Sequence, residues 1–137
     1  MPPFHLAFPV DDLAAARAFY VDLLGCAEGR SADRWIDLDF FGHQITAHLA
    51  DDIAPPHHNP VDGDAVPIPH FGAILSPEAF AEIAERLTAA NTDFIIPPRT
   101  RFAGQPGEQS TMFLRDPAGN AIEFKAMRDA DAIFTKA

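Results

Sequence analysis

Apolar residues in this chain fall in short runs separated by turn signals, and in two places the runs give way to helical spacing. Phe4-His5-Leu6-Ala7-Phe8 and His70-Phe71-Gly72-Ala73-Ile74-Leu75 each read as a strand that leads directly into a helix, and their histidines stand 65 positions apart. The first helix is predicted to start after Asp11 or Asp12 as N-cap, to bury Leu13, Ala16, Tyr20 and Leu23 or Leu24, and to stop at Gly25. In the second, Ser76 is the N-cap, Pro77 takes the first helical position and Glu78 the first turn. Phe80, Ile83, Ala84 and Leu87 make its apolar stripe, and it ends near Asn91. Strand-like segments follow each helix: a weak one over 27–30, then 35–41 and 44–49 in the first half, and 93–96, 111–114 and 121–125 in the second. Phe40-Phe41-Gly42-His43 and Asp116-Pro117-Ala118-Gly119-Asn120 read as turns.

The order strand, helix, three strands thus occurs twice, which predicts an α+β fold. Module 1 spans about 3–50 and module 2 about 70–127, with a tail over 128–137, in a single domain over 1–137. The intervening segment 51–69 carries five of the thirteen prolines, so it is expected to be an extended connection and not a third helix.

Composition narrows the function. Twenty acidic against ten basic residues give a net charge of −10, which repels phosphate backbones and argues against a nucleic-acid partner. No apolar run approaches the ~20 residues that cross a bilayer, so the 47% hydrophobic content is expected to fill a core and no membrane partner is expected. Cys26 is the single cysteine and has no internal partner. The amino terminus shows neither a basic flank nor an apolar stretch of signal-peptide length, so a reducing cytoplasm is expected.

Against that background His5, His70 and Glu123 stand out, because each interrupts an apolar strand-like run. Burying such a group costs several kcal/mol unless it is paired or binds a metal. Two imidazoles and a carboxylate are a donor set that holds non-haem Fe(II) and leaves positions open; Mn, Ni, Co and Zn accept the same donors. Each residue also has a plain structural alternative. The histidines suit a backbone-bonded core role, and alternation puts Glu123 with Ala121 and Lys125 on what would be a solvated edge face. Gln44, Thr46 and His48 likewise share one face of a strand, so either Gln44 or His48 is its functional polar group. His57 and His58 lie in the proline-rich segment and read as solvated surface. Arg99, Arg101 and Arg115 are candidates for an anionic substrate, since guanidinium forks match carboxylates. The segment 102–108, with two glycines and a proline, reads as a loop, and Asp37 and Asp39 alternate with apolar neighbours as in a half-exposed strand.

The duplicated unit, the histidine that opens each half and the closing Phe113-Leu114-Arg115-Asp116-Pro117-Ala118-Gly119-Asn120-Ala121-Ile122-Glu123-Phe124 resemble the vicinal oxygen chelate superfamily. It includes glyoxalase I, bleomycin-resistance proteins and type I extradiol dioxygenases. The resemblance runs from Phe4 to about Met127. The segments His5 to Val10 and Pro69-His70-Phe71-Gly72 are most like small predicted extradiol dioxygenase-type proteins. It implies two βαβββ modules forming a curved, cup-shaped, eight-stranded mixed sheet, with a divalent metal, Fe(II) favoured, held by His5, His70 and Glu123. His48 is then the acid/base, and Arg99, Arg101 and Phe113 bind substrate. Three ligands leave three positions of an octahedral ion, enough for both oxygens of a catechol and for dioxygen. Were His48 a fourth ligand, the two positions left would suit a glyoxalase-like lyase or isomerase better. Extradiol enzymes typically carry a tyrosine on the strand before the last, where this chain has Thr111-Met112-Phe113-Leu114. Glyoxalase I typically has a glutamate as fourth ligand. The resemblance therefore implies first an extradiol dioxygenase-like enzyme acting on a small catecholic or related molecule. A glyoxalase-like enzyme and a non-catalytic antibiotic-binding protein are the alternatives, and a homodimer is expected.

Overall fold

The computed structural model describes residues 1–55, 57–61 and 63–135. Among the described residues, ten strands and two α-helices follow one another. They are β1 (His5–Val10), α1 (Leu13–Arg17), β2 (Ala27–Ala32), β3 (Trp35–Phe40), β4 (His43–Leu49), β5 (His57–Val61), β6 (Asp64–Ile68), β7 (His70–Leu75), α2 (Pro77–Ala89), β8 (Ile96–Arg101), β9 (Gln109–Arg115) and β10 (Ala121–Met127). The sheets have the order β1-β4-β3-β2 and β7-β10-β9-β8, with β5 and β6 as a separate pair. Each half therefore lays its first strand beside its last, and the α+β architecture of two four-stranded modules follows from the repeat.

Two compact units form. One holds Met1–His70 with Arg115–Ala121, the other Phe71–Leu114 with Ile122–Ala137. In the first, β1 runs parallel to β4 while β3 is antiparallel to both β4 and β2, so the sheet is mixed. Alternation sends Phe8, Val10, Ile36, Leu38, Phe40 and Ala47 inward. Tyr20 is fully buried among them, its ring 5.6 Å from Phe8 and 4.8 Å from Phe19.

Asp12 caps α1, its side chain accepting from the Ala15 amide at 3.0 Å. The regular helix stops at Arg17, however, and Ala18–Leu23 continues as a wider π-type turn, with Phe19 and Tyr20 buried on it. The sequence predicts one uninterrupted helix here. An i→i+5 turn keeps nearly the same apolar spacing as an i→i+4 turn, so periodicity does not separate them.

In the second unit, α2 has the predicted cap: Ser76 Oγ accepts from the Ala79 amide at 3.1 Å, and Phe80, Ile83 and Leu87 are buried. Met112, Leu114, Ile122 and Phe124 form the sheet's side of that core. Two expectations change. Strand β8 is Ile96–Arg101 and not 93–96, because Pro97 and Pro98 fall on the edge strand at a register shift between Ile96 and Arg99, where missing N–H groups interrupt no ladder. The segment 51–69 is extended, but it also pairs with itself: Val61 stands opposite Asp64 and His57 opposite Ile68. A short 3-10 turn, Ala130–Phe134, follows β10. None of the helices among the described residues is long and apolar enough to cross a membrane.

Candidate functional site

Glu123 sits in the middle of β10, where Ile122, Phe124 and Ala126 point into the core and Glu123 and Lys125 to the other side. Its side chain is only 11% exposed. The buried carboxylate is held by Thr111, whose hydroxyl donates to Oε2 at 2.6 Å. Lys125 Nζ lies 3.9 Å from Oε1. That ammonium is half exposed, so solvent screens the contact.

Gly72 explains how β7 approaches this point. A Cβ added there would stand 1.5 Å from the Glu123 carbonyl oxygen, so no other residue fits without moving the backbone. An isolated glycine inside a strand pattern is the sequence signal for such an approach.

His70 opens β7 and, by alternation, shares the face of Gly72. Its Nδ1 lies 2.8 Å from the Pro67 carbonyl oxygen. A carbonyl only accepts, so in the neutral ring the proton sits on Nδ1 and Nε2 keeps its lone pair. That is the tautomer a metal needs, oriented by the kind of outer partner that metal-binding imidazoles commonly have. An imidazole nitrogen and a carboxylate are donor types that divalent ions accept.

His5 opens β1 and is exposed. Its register partner on β4 is Gln44, and Gln44 in turn stands opposite Asp39. His48 is opposite Pro9 and Trp35. It stands four positions on from Gln44, roughly 13 Å along a strand. Of the two polar candidates on β4, it is Gln44 that this register sets beside His5. Between the two rows Thr46 donates to Asp37 Oδ1 at 2.7 Å, so Asp37 is a bonded acceptor and not merely a solvated charge.

Among the described residues, no three His, Cys, Asp or Glu side chains of the single chain gather as a metal site. His5 lies on β1 of the first sheet, and His70 and Glu123 on the neighbouring strands β7 and β10 of the second.

Arg99 stands opposite Thr111, which bonds Glu123, and Arg101 opposite Gln109, so both arginines share one face of β8. Arg101 also stacks on Phe102, its Cζ 5.1 Å from the ring centre. Phe113 is buried, opposite Ile96. Arg115 bonds the Gly119 carbonyl at 3.1 Å and so braces its own turn.

That turn has a structural duty. Buried Asp116 accepts from the amides of Ala118 and Asn120 at 3.1 and 2.8 Å, from Asn120 Nδ2 at 2.9 Å and from the Tyr20 hydroxyl at 2.8 Å. Asn120 Nδ2 also reaches the Pro9 carbonyl at 2.8 Å. Burial pushes the Asp116 carboxyl above the usual range, while the bonds from Asn120, Tyr20 and Ala118 pull it back. Burial, then the Asp116 charge, holds the Tyr20 phenol well above its ordinary value, so it stays a donor. Burial, helped by Asp39, pushes the Cys26 thiol up to about 12, which leaves it inert as a nucleophile. Thr111, Gly72 and the Tyr20–Asp116 pair are the features that sequence reasoning missed.

The family model for the Glyoxalase/Bleomycin resistance protein/Dioxygenase superfamily matches residues 3–124. Among solved structures, a glyoxalase/bleomycin resistance protein/dioxygenase from Alicyclobacillus acidocaldarius is 33% identical, with a TM-score of 0.76 over 97% of this chain and 96% of that one. A genomically encoded fosfomycin resistance protein from Listeria monocytogenes is 20% identical, with a TM-score of 0.68 over 92% and 93% of the two chains. Its counterpart from Mesorhizobium loti is 17% identical, with a TM-score of 0.68 over 96% and 97%. These last two likenesses are of fold alone. No curated protein matches the chain.

Proposed function

Because the chain belongs to the glyoxalase/bleomycin resistance protein/dioxygenase superfamily, we propose that it is a metal-dependent enzyme of the extradiol dioxygenase type, acting on a small molecule with two neighbouring oxygens. His70, Glu123 and His5 hold a divalent ion in this reading, Fe(II) by preference, with Mn, Ni, Co or Zn accepted by the same donors. The bound ion supplies Lewis-acid polarisation of the substrate oxygens and, as Fe(II), a redox partner for dioxygen.

One observation carries the reading: two side chains of donor type are held in place by neighbours. His70 has its ring proton committed to Pro67, and Glu123 has one oxygen committed to Thr111. Gln44 favours the dioxygenase over the glyoxalase-like alternative. It stands beside His5, where a neutral amide supplies neither a charged fourth ligand nor a base. Arg99 and Arg101 hold an anionic group of the substrate, which restricts turnover to acids of this class.

The working form is a homodimer in which His5 of the partner subunit completes the donor set, a role that fits the exposure of His5 on the single chain. The buried, unpaired Cys26 fits a reducing, cytoplasmic setting.

Anaerobic purification with metal quantification, followed by oxygen uptake over a panel of catechols with and without a carboxylate, tests the proposal. The expected result is stoichiometric metal and uptake yielding a ring-opened product, faster for the acids. Isomerisation of a hemithioacetal without uptake would replace it with the glyoxalase-like reading, and tight binding without turnover with a sequestering one.

A further inference from the structure

We infer that Phe102 is a specificity-determining residue: its ring takes the apolar body of the acid whose anionic group Arg101 holds. The inference rests on the proposal that Arg101 meets an anionic group of the substrate, and it adds what kind of acid that is. Three observations lead to it. Phe102 is 48% exposed, a large apolar ring left in water. Its φ is 56°, in the left-handed region that bulky side chains rarely enter. The ring also has a cation against it, Arg101 Cζ standing 5.1 Å from its centre.

Phe41 shows the same backbone where the fold itself needs it. Phe41 and Gly42, at φ 53° and 89°, are the two central residues of the β3–β4 hairpin, a turn that requires positive φ at both. The Phe41 ring is half-buried and packs on Phe40, with 4.9 Å between centres. Phe102 instead opens the longer loop 102–108, where glycine would take the same φ without strain. The loop fixes it all the same. The Phe102 carbonyl accepts from the Gln105 amide at 3.0 Å, and the Gln105 carbonyl from the Glu108 amide at 3.0 Å. Glu108 Oε1 accepts from the Gly104 amide at 2.8 Å, and the Glu108 carbonyl from the Arg128 amide at 3.0 Å. A strained backbone that its surroundings hold in place, carrying an exposed aromatic ring, is the pattern of a ligand contact and not of packing.

Distance then sets the class of acid. An acid group bonded to a guanidinium lies about 3 Å from its nitrogens. With Arg101 against the Phe102 ring, the carbons next to that acid group fall within contact of the ring. Arg101 has five N–H donors, so taking an anion does not require it to give up its other bonds. An acid with a ring close to its carboxylate gains the contact with Phe102, and acetate does not.

Phenylacetate and acetate are the probes, titrated by NMR against the purified protein, with urea unfolding followed alongside. The wild type is expected to bind phenylacetate about tenfold more tightly than acetate. Phe102→Ala should weaken phenylacetate about three- to tenfold and leave acetate unchanged, and Phe102→Tyr should keep both. Phe102→Gly relieves the backbone, so it should resist urea at least as well as the wild type while losing phenylacetate as the alanine variant does. Wild-type binding of phenylacetate by Phe102→Ala overturns the inference, as does an equal loss of both acids. A Phe102→Gly protein that unfolds more readily overturns it too, since the ring would then be a packing element. Arg101→Gln keeps the two levels apart. If it binds both acids like the wild type, or if the wild type binds neither, the anion-binding proposal for Arg101 falls and this inference with it. If it loses both while Phe102→Ala loses neither, only the role of Phe102 falls.

Discussion

Tyr20 is the only tyrosine in the chain, and it is used to hold a turn. Replacing it with phenylalanine keeps the ring contacts but takes one donor from buried Asp116, so the carboxyl moves further up. The folded-state value of Asp116 is already raised, so its contribution to stability is fully present below the unfolded value and is lost as pH rises through the folded one. Tyr20→Phe raises that folded value again. The loss of stability should therefore be larger at neutral pH, about 1.5–3 kcal/mol for a bond to a charged group, than in acid, where the neutral carboxyl loses about 0.5–1.5 kcal/mol. Urea unfolding at both pH values checks this, and equal losses would mean that the phenol does not sense the charge. The glutamate and histidines of the candidate site were legible because polar residues in apolar runs demand a reason. Thr111 was not, since a threonine in a strand is ordinary and its use depends on which residue of the neighbouring strand it faces.

Between elements, the approach of β7 to β10 turns on Gly72. Gly72→Ala forces a methyl group into the Glu123 carbonyl, and the strands must part. A cost of about 3 kcal/mol or more is expected by urea unfolding, together with weaker Mn2+ binding, because the backbone that carries Glu123 shifts. An alanine protein of unchanged stability would show that the strands do not meet as described. Helix α2 was readable to its cap because Ser76, Pro77 and Glu78 act locally. Strand β8 was displaced in the reading because prolines count as breakers until it is known that they lie on an edge. The β5–β6 hairpin hid behind its prolines, although the sequence pair Asp62-Gly63 is a hairpin-turn signal, and Gly63 has the positive φ, 86°, that such turns use. Pairing register, which sets Gln44 and not His48 beside His5, is a property of two strands together and was not deducible from either.

For the molecule as a whole, the proposed dimer makes a prediction that point variants of one chain do not. Purified His5→Ala and Glu123→Ala proteins should each bind little Mn2+. A mixed dimer of the two, made by co-expression with different affinity tags, should regain about half of the wild-type sites, since one of its two sites then draws every donor from an unaltered strand. No recovery in a mixed dimer that forms would sink the two-copy arrangement. The bonds of Asp116 and Asn120 to Tyr20 and Pro9 carry a different message. The second repeat has lent residues 115–121 to the unit built from the first. A gene truncated after the first repeat would leave a buried phenol and a strand carbonyl without their acceptor and donor. The first repeat is therefore not self-sufficient: what completes its interior is supplied from residues 115–121, more than forty positions beyond its own end.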